Sequence, residues 1–150
     1  MSHSPRLLVL ILYAGTSVLI AALTHEVATT RMLHWLGEQD PEHLAISDWV
    51  TAGFSAALSI KLRSGQIETV RRAKALTTFT AMSAETFTRL PISGAQFRTA
   101  ARFADQHAIG LRAGDALHLA ICTDHGAILC TLDRRLGEAG PALAVKTALL

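Results

Sequence analysis

Cysteines, aromatic residues and long runs of one charge are all scarce in this sequence. The only cysteines, Cys122 and Cys130, have neither disulfide-framework nor metal-ligand spacing, which excludes a disulfide-stapled fold and predicts two buried thiols in a reducing cytoplasm. Aromatic residues make up 5% of the chain, too few for a surface that stacks single-stranded bases. The net charge is only +2 and no basic block stands out, so nucleic acid is permitted as a partner without being required.

Hydrophobic residues, in contrast, are numerous enough for a sizeable core. The chain has 150 residues, of which 50% are hydrophobic and 17% charged, as expected of one folded domain over residues 1–150. A charge-free run over residues 7–24 has two interpretations. It is either a membrane anchor, or a buried strand over 7–13 followed by a helix over 17–23 that Thr16 caps. We favour the strand and helix, without membrane association, because the later segments need a core strand to pack against.

Short apolar segments alternate with longer amphipathic ones along the rest of the chain. Helices are predicted over 26–36, 49–62, 67–82, 95–107 and 115–125, a helical turn over 133–138, and strands over 44–46, 87–92, 127–131 and 142–145. Ser47 and Ser93 are the expected N-caps of two of these helices. The expected core positions of the helix over 26–36 are Val27, Met32, Leu33 and Leu36. This alternation predicts an α/β fold with a mostly parallel central sheet and helices on both faces.

Two aspartates stand at element ends where ligands are expected. Asp115 opens the helix over 115–125, and Asp133 follows the strand over 127–131. Ligands of a parallel sheet bind beyond the carboxyl ends of its strands, and carboxylates there can converge on Mg²⁺ or Mn²⁺. Such a cation activates water against a phosphodiester. Asp115 and Asp133 are therefore predicted as catalytic metal ligands, the alternatives being a helix-dipole role for Asp115 and a capping role for Asp133.

Three segments, taken together in order, carry a family resemblance. They are Tyr13-Ala-Gly-Thr-Ser-Val-Leu-Ile20, Ile46-Ser-Asp-Trp-Val50 leading into Phe54-Ser-Ala-Ala-Leu58, and Gly110-Leu-Arg-Ala-Gly-Asp115-Ala-Leu-His-Leu-Ala120 followed by Leu129-Cys-Thr-Leu-Asp133. Over residues 7–150 the chain resembles the PIN-domain family, and within it the VapC-type toxin ribonucleases of type II toxin–antitoxin pairs. The resemblance implies a PIN-like three-layer fold and four acidic positions around Mg²⁺ or Mn²⁺. Asp115 and Asp133 match the last two positions, whereas Gly15 and Gly53 occupy the first two.

The resemblance implies a cytoplasmic, metal-dependent endoribonuclease that forms a homodimer and pairs with a small antitoxin. Because a glycine has no side chain to offer a cation, Gly15 and Gly53 predict weakened metal binding and impaired cleavage of RNA. Two readings therefore stay open: an impaired ribonuclease, and a catalytically inactive binding module that pairs with an antitoxin or with RNA.

Further residues near the aspartates have a functional and a structural interpretation. Thr16, Ser17 and Thr131 are candidates for positioning a phosphate or a water, or else cap and pack locally. Arg112 and Arg134 are the candidate RNA contacts, with Arg135, Lys61 and Arg63 as further rim residues, or else solvated surface. His118 follows Asp115 by three residues and shares its helix face, where we expect a packed or hydrogen-bonded histidine and not a catalytic one.

Overall fold

In the computed structural model, which describes residues 10–150, five parallel strands form one sheet in the order β3-β2-β1-β4-β5. The strands are β1 Leu12–Ala14, β2 Leu44–Ser47, β3 Thr88–Leu90, β4 Ile128–Thr131 and β5 Thr147–Leu149. Every residue of the central strand β1 is buried, which explains why this part of the sequence is apolar without alternation.

Within residues 10–150, seven α-helices connect and flank the strands. They are α1 Thr16–Leu23, α2 Thr29–Glu38, α3 Asp48–Arg63, α4 Thr69–Glu85, α5 Gly94–Asp105, α6 Ala113–His125 and α7 Arg134–Ala142, with a 3₁₀ turn at Pro41–His43. The predicted α/β fold with a parallel sheet is confirmed, and most predicted bounds differ from these by only a few residues.

The core of the described residues is mainly aliphatic and contains a pair of stacked aromatic rings. The consecutive residues 116–122 of α6 are all buried, so this helix lies against the sheet. Phe54 of α3 stacks on Phe79 of α4 with ring centroids 4.3 Å apart. Cys122 and Cys130 are buried free thiols, as predicted, and burial raises the pKa of Cys130 to about 12.

The charge-free N-terminal run forms a strand followed by a short helix. Only β1 and the eight-residue α1 lie in this run from residue 10 onward, and the start of the predicted strand, residues 7–9, falls outside the described part. No helix within residues 10–150 has the length and apolar character needed to cross a membrane.

The predicted core face of α2 is half right. Met32 and Leu36 are buried, but Val27 is fully exposed and Leu33 is 50% exposed. The helix begins at Thr29, later than predicted, so Val27 lies in the preceding turn. Leu33 follows Met32 by one residue, which rotates it away from the face that Met32 and Leu36 share.

The last strand was predicted too early in the chain. Residue 142 ends α7, and Ala144 adopts a positive φ of 59° while the Val145 N–H donates to the Gly140 carbonyl at 2.8 Å. This helix-terminal turn uses the apolar segment that was predicted as a strand. Strand β5 therefore begins at Thr147, where the backbone can pair with β4.

Candidate functional site

Asp133 is held in place by hydrogen bonds on both sides. Its N–H donates to the Thr131 Oγ1 at 3.0 Å, and its carboxylate accepts the Leu136 N–H at 3.2 Å as the N-cap of α7. One carboxylate oxygen thus anchors the start of α7, while the side chain as a whole is exposed. The capping role predicted as an alternative for Asp133 is present, and it leaves lone pairs for a further ligand.

Asp115 lies in the first turn of α6 and faces the same cleft as Asp133. Burial raises the pKa of Asp115, and the nearby charge of Asp133 raises it further, while the guanidinium groups of Arg112 and Arg135 lower it to a lesser extent. The structure thus brings the two predicted aspartates together. Their mutual repulsion is what a bound cation relieves.

Two adjoining pockets share these aspartates. The first, which we call the arginine pocket, has a volume of about 220 Å³. It is lined by Ile109, Gly110, Leu111, Arg112, Asp115, Asp133, Arg135 and Leu136. The second, the glycine pocket, has a volume of about 190 Å³. It is lined by Gly15, Thr16, Ser17, Asp115, His118, Leu129, Thr131, Asp133 and Leu136.

Gly15 packs directly against strand β4. Its N–H donates to the Cys130 carbonyl at 2.9 Å, and a Cβ at this position would lie 2.9 Å from the same oxygen. Because a backbone carbonyl cannot rotate away, a larger residue here requires a shift of the backbone. Gly15 is also the N-cap of α1, so the prediction that Thr16 caps this helix is wrong: Thr16 is its first helical residue.

Gly53 lies in α3, opposite a buried hydroxyl that lacks a partner. A Cβ at Gly53 would lie 2.8 Å from the Thr16 Oγ1, which is buried and forms no hydrogen bond with the described residues. Burying an unpaired hydroxyl is unfavourable. A polar side chain at position 53 would be able to form a hydrogen bond with this hydroxyl, but Gly53 has no side chain.

The hydroxyls of Ser17 and Thr131 connect α1 to the segment after β4. The Ser17 Oγ accepts the Leu132 N–H at 3.0 Å and lies 3.3 Å from the Thr131 Oγ1. Since Thr131 also accepts the Asp133 N–H, both hydroxyls serve to hold the backbone that carries Asp133.

A buried hydrogen-bond network lies beneath the glycine pocket. The Tyr13 hydroxyl is 2.7 Å from the Ser47 Oγ and 2.7 Å from the His118 Nδ1, and it joins β1, β2 and α6. Ser47 is the N-cap residue of α3, as predicted, but its side chain makes no capping hydrogen bond with this helix. His118 is packed and hydrogen-bonded, as expected. The sequence does not specify its partner, although the single tyrosine of the chain, in an otherwise aliphatic strand, indicates a buried hydroxyl that needs one.

The buried His118 makes the stability of the protein depend on pH. Burial lowers its pKa from 6.5 to about 4, so between these values the unfolded chain binds a proton that the folded chain does not. We expect the free energy of unfolding to fall as the pH drops through this range, by up to about 1.4 kcal/mol per pH unit. Asp115 acts in the opposite direction, because its pKa is raised in the fold.

Urea unfolding of the parent and of His118→Asn at several pH values isolates the histidine. The parent should lose more stability than His118→Asn between pH 6.5 and 4. Parallel pH profiles of the two proteins would contradict the prediction.

Some of the basic residues near the cleft line the arginine pocket, and others lie outside it. Arg112 and Arg135 line the arginine pocket, and the Arg135 Nη2 donates to the Gly110 carbonyl at 3.4 Å. Of the two candidate RNA contacts from the sequence, Arg112 thus lies at the cleft, whereas Arg134 lies 4.0 Å from Glu138, is 78% exposed and lines neither pocket. Lys61 pairs with Glu26 at 2.9 Å.

The oxygen donors at the cleft fit Mg²⁺ in one of its common binding modes. No three His, Cys, Asp or Glu side chains of residues 10–150 converge as a metal-binding group. Asp115 and Asp133 nevertheless share one cleft, and Mg²⁺ is often bound by one or two carboxylates with water and substrate phosphate completing its shell. The residues present thus fit a cation that the substrate helps to hold, not a closed protein cage.

Comparisons with known proteins agree with this architecture. The family model for the PIN domain matches residues 13–140. The crystal structure of FitAcB from Neisseria gonorrhoeae is similar with a TM-score of 0.68 and 15% identity, covering 91% of this chain and 96% of that one. PAE2754 from Pyrobaculum aerophilum is similar with a TM-score of 0.65 and 21% identity, covering 87% and 86% of the two chains.

VapBC2 from Rickettsia felis, bound to a DNA fragment from their promoter, is similar with a TM-score of 0.65 and 17% identity, covering 93% of this chain and 98% of that one. No curated protein matches the chain significantly. Because these sequence identities are low, the similarity to the solved structures shows a shared fold and nothing further.

Proposed function

The chain belongs to the PIN domain family, and from this premise we propose that it is the toxin-type member of a toxin–antitoxin pair, with a metal-dependent endoribonuclease site weakened by Gly15 and Gly53. The observation that carries the proposal is the convergence of Asp115 and Asp133 on the same two pockets, where the charge of Asp133 helps to raise the pKa of Asp115. The similarity to FitAcB and VapBC2 supports the toxin–antitoxin setting.

Asp115 and Asp133 would hold a Mg²⁺ or Mn²⁺ ion, which supplies a Lewis acid and an activated water when bound. The chain's own residues prepare these ligands. Thr131 and the Leu136 N–H fix Asp133, and α6 carries Asp115 on a helix that is buried along most of its length. Gly15 and Gly53 contribute no side-chain oxygen, and the absence of one electrostatic stabiliser typically costs on the order of 10²–10³ in rate.

The direct test is cleavage of RNA by the parent and by Asp115→Asn in Mg²⁺ and in Mn²⁺. Removing this carboxylate should lower the rate by at least about 10²-fold, because half of the remaining donor set is lost. Asp48→Asn is the matched control, since Asp48 is exposed, pairs with Arg89 at 3.4 Å and lines neither pocket. Equal rates for the parent and Asp115→Asn would rule out the proposed site.

A second candidate function, that of a binding module without catalysis, is favoured by an apolar groove. This groove has a volume of about 220 Å³ and is lined by Trp49, Phe97, Ala100, Ala101, Ala104, Ala113 and Leu117. Phe97 is 56% exposed, and Trp49 donates to the Gly114 carbonyl, next to Asp115. An apolar segment of an antitoxin or a second copy of the chain suits such a surface. Antitoxin binding without cleavage in either metal would favour this function.

A further inference from the structure

We propose that Arg112 and Arg135 form a phosphate-binding site that holds single-stranded RNA in the arginine pocket without a divalent ion. The proposal rests on the proposed function for the identity of the ligand, and it adds a second, metal-independent contact beside the carboxylates. In helix α7 it assigns the RNA contact to Arg135 and not to Arg134, the candidate from the sequence.

The first observation is that two arginines line one pocket without being held in ion pairs. Arg112 precedes α6 and Arg135 lies in the first turn of α7, so the two come from different elements to one pocket of about 220 Å³. Although Asp115 and Asp133 line the same pocket, neither arginine forms an ion pair with any carboxylate of residues 10–150. Their donors therefore stay available for an anion.

The second observation is that Arg135 is oriented toward the pocket. Its Nη2 donates to the Gly110 carbonyl at 3.4 Å, which holds the guanidinium beside the loop that precedes α6. Gly110 has a φ of +72°, a conformation that favours glycine and places its carbonyl there, and a Cβ on it would lie 3.6 Å from the same Nη2. One guanidinium nitrogen is used for this contact, and the others remain free to bind phosphate oxygens.

The third observation concerns charge. Asp115 and Asp133 are the carboxylates that line the two pockets, and in the arginine pocket Arg112 and Arg135 equal them in number. The charges at the arginine pocket therefore balance, and its guanidinium groups can meet an anion directly. Phosphate binding there does not require a divalent ion to offset the carboxylates.

The test is the fluorescence anisotropy of a short, unstructured RNA titrated with the protein in EDTA, repeated across a range of salt concentrations. We expect binding in EDTA, and Arg135→Gln should weaken it about tenfold, as for one lost charge-assisted contact. The slope of log K against log salt should become shallower by about 0.7, the value for one phosphate contact to a single strand. Arg134→Gln, with the same charge change at the neighbouring residue, should alter the affinity by less than about twofold.

Asp115→Asn separates this inference from the proposed ribonuclease function. It removes a negative charge beside the bound phosphate, so it should strengthen binding in EDTA several-fold while it lowers cleavage in Mg²⁺. Binding that requires Mg²⁺, or equal effects of Arg134→Gln and Arg135→Gln, would overturn the arginine site and leave the ribonuclease proposal standing. Tight binding in EDTA that depends on Arg135, with no cleavage in any metal, would support the arginine site and contradict the ribonuclease proposal.

Discussion

Replacing Gly53 by glutamate is expected to raise the rate of Mg²⁺-dependent RNA cleavage by about 10²-fold. The reason is that one positioned electrostatic stabiliser is typically worth on the order of 10²–10³ in rate. A side chain that begins at Gly53 starts beside Thr16, and Thr16 lines the glycine pocket that Asp115 and Asp133 also line. A third carboxylate would strengthen the hold on the cation and help to orient the attacking water.

The obstacle to this replacement is a side chain and not the backbone. A Cβ at Gly53 would lie 2.8 Å from the Thr16 Oγ1 and 3.4 Å from its Cγ2, so the Thr16 side chain must shift. Its hydroxyl has no hydrogen-bond partner among the described residues that this shift would break. A glutamate oxygen could in turn accept a hydrogen bond from that hydroxyl. Replacing a helical glycine by a better helix former contributes about 0.5–1 kcal/mol, which favours a folded variant.

Gly53→Gln is the matched control, because it has the same shape without the charge. Initial rates of RNA cleavage should rank Gly53→Glu above Gly53→Gln and the parent, and adding Asp115→Asn to Gly53→Glu should remove the gain. If Gly53→Glu is folded and no faster than Gly53→Gln, the carboxylate account of the site is wrong. Gly15→Asp is the weaker experiment, since its Cβ would meet the Cys130 carbonyl at 2.9 Å and force the backbone to move.

Tyr13→Phe is expected to lower the free energy of unfolding by about 2–4 kcal/mol, although it removes a single oxygen atom. The Tyr13 ring is fully buried, and its hydroxyl is the hydrogen-bond partner of both the Ser47 Oγ and the His118 Nδ1. Each buried polar group that loses its partner costs about 1–3 kcal/mol. Urea unfolding monitored by circular dichroism measures the difference.

The double variant Tyr13→Phe/Ser47→Ala distinguishes unpaired groups from lost packing. Removing the Ser47 hydroxyl as well eliminates one of the two unpaired groups, so the double variant should be less destabilised than the sum of the single variants. Additive effects would show that Tyr13 and Ser47 do not depend on one another. The prediction would also fail if Tyr13→Phe were as stable as the parent.

Local sequence patterns determined the architecture and half of the candidate site. Alternation of short apolar strands with amphipathic helices requires a parallel sheet covered by helices, and the carboxyl ends of parallel strands lie along one edge. Asp115 opens a helix and Asp133 follows a strand, so their approach follows from topology alone. Errors arose where a local pattern permitted more than one register, as for Val27 and Leu33 in α2 and for the apolar segment before β5.

Only the tertiary structure decided which side chains meet across the fold. Tyr13 and His118 are 105 residues apart in sequence, and nothing in the spacing of either residue specifies the other. In the same way, packing against β4 makes Gly15 hard to replace. Because α1 and α3 pack with Thr16 opposite Gly53, the Thr16 hydroxyl has no partner among the described residues. Adjacent arginines also diverge, because consecutive helical residues point about 100° apart: Arg135 lines the cleft and Arg134 pairs with Glu138 outside it. Local periodicity places a residue on an element, but partners distant in sequence are set by how the elements pack.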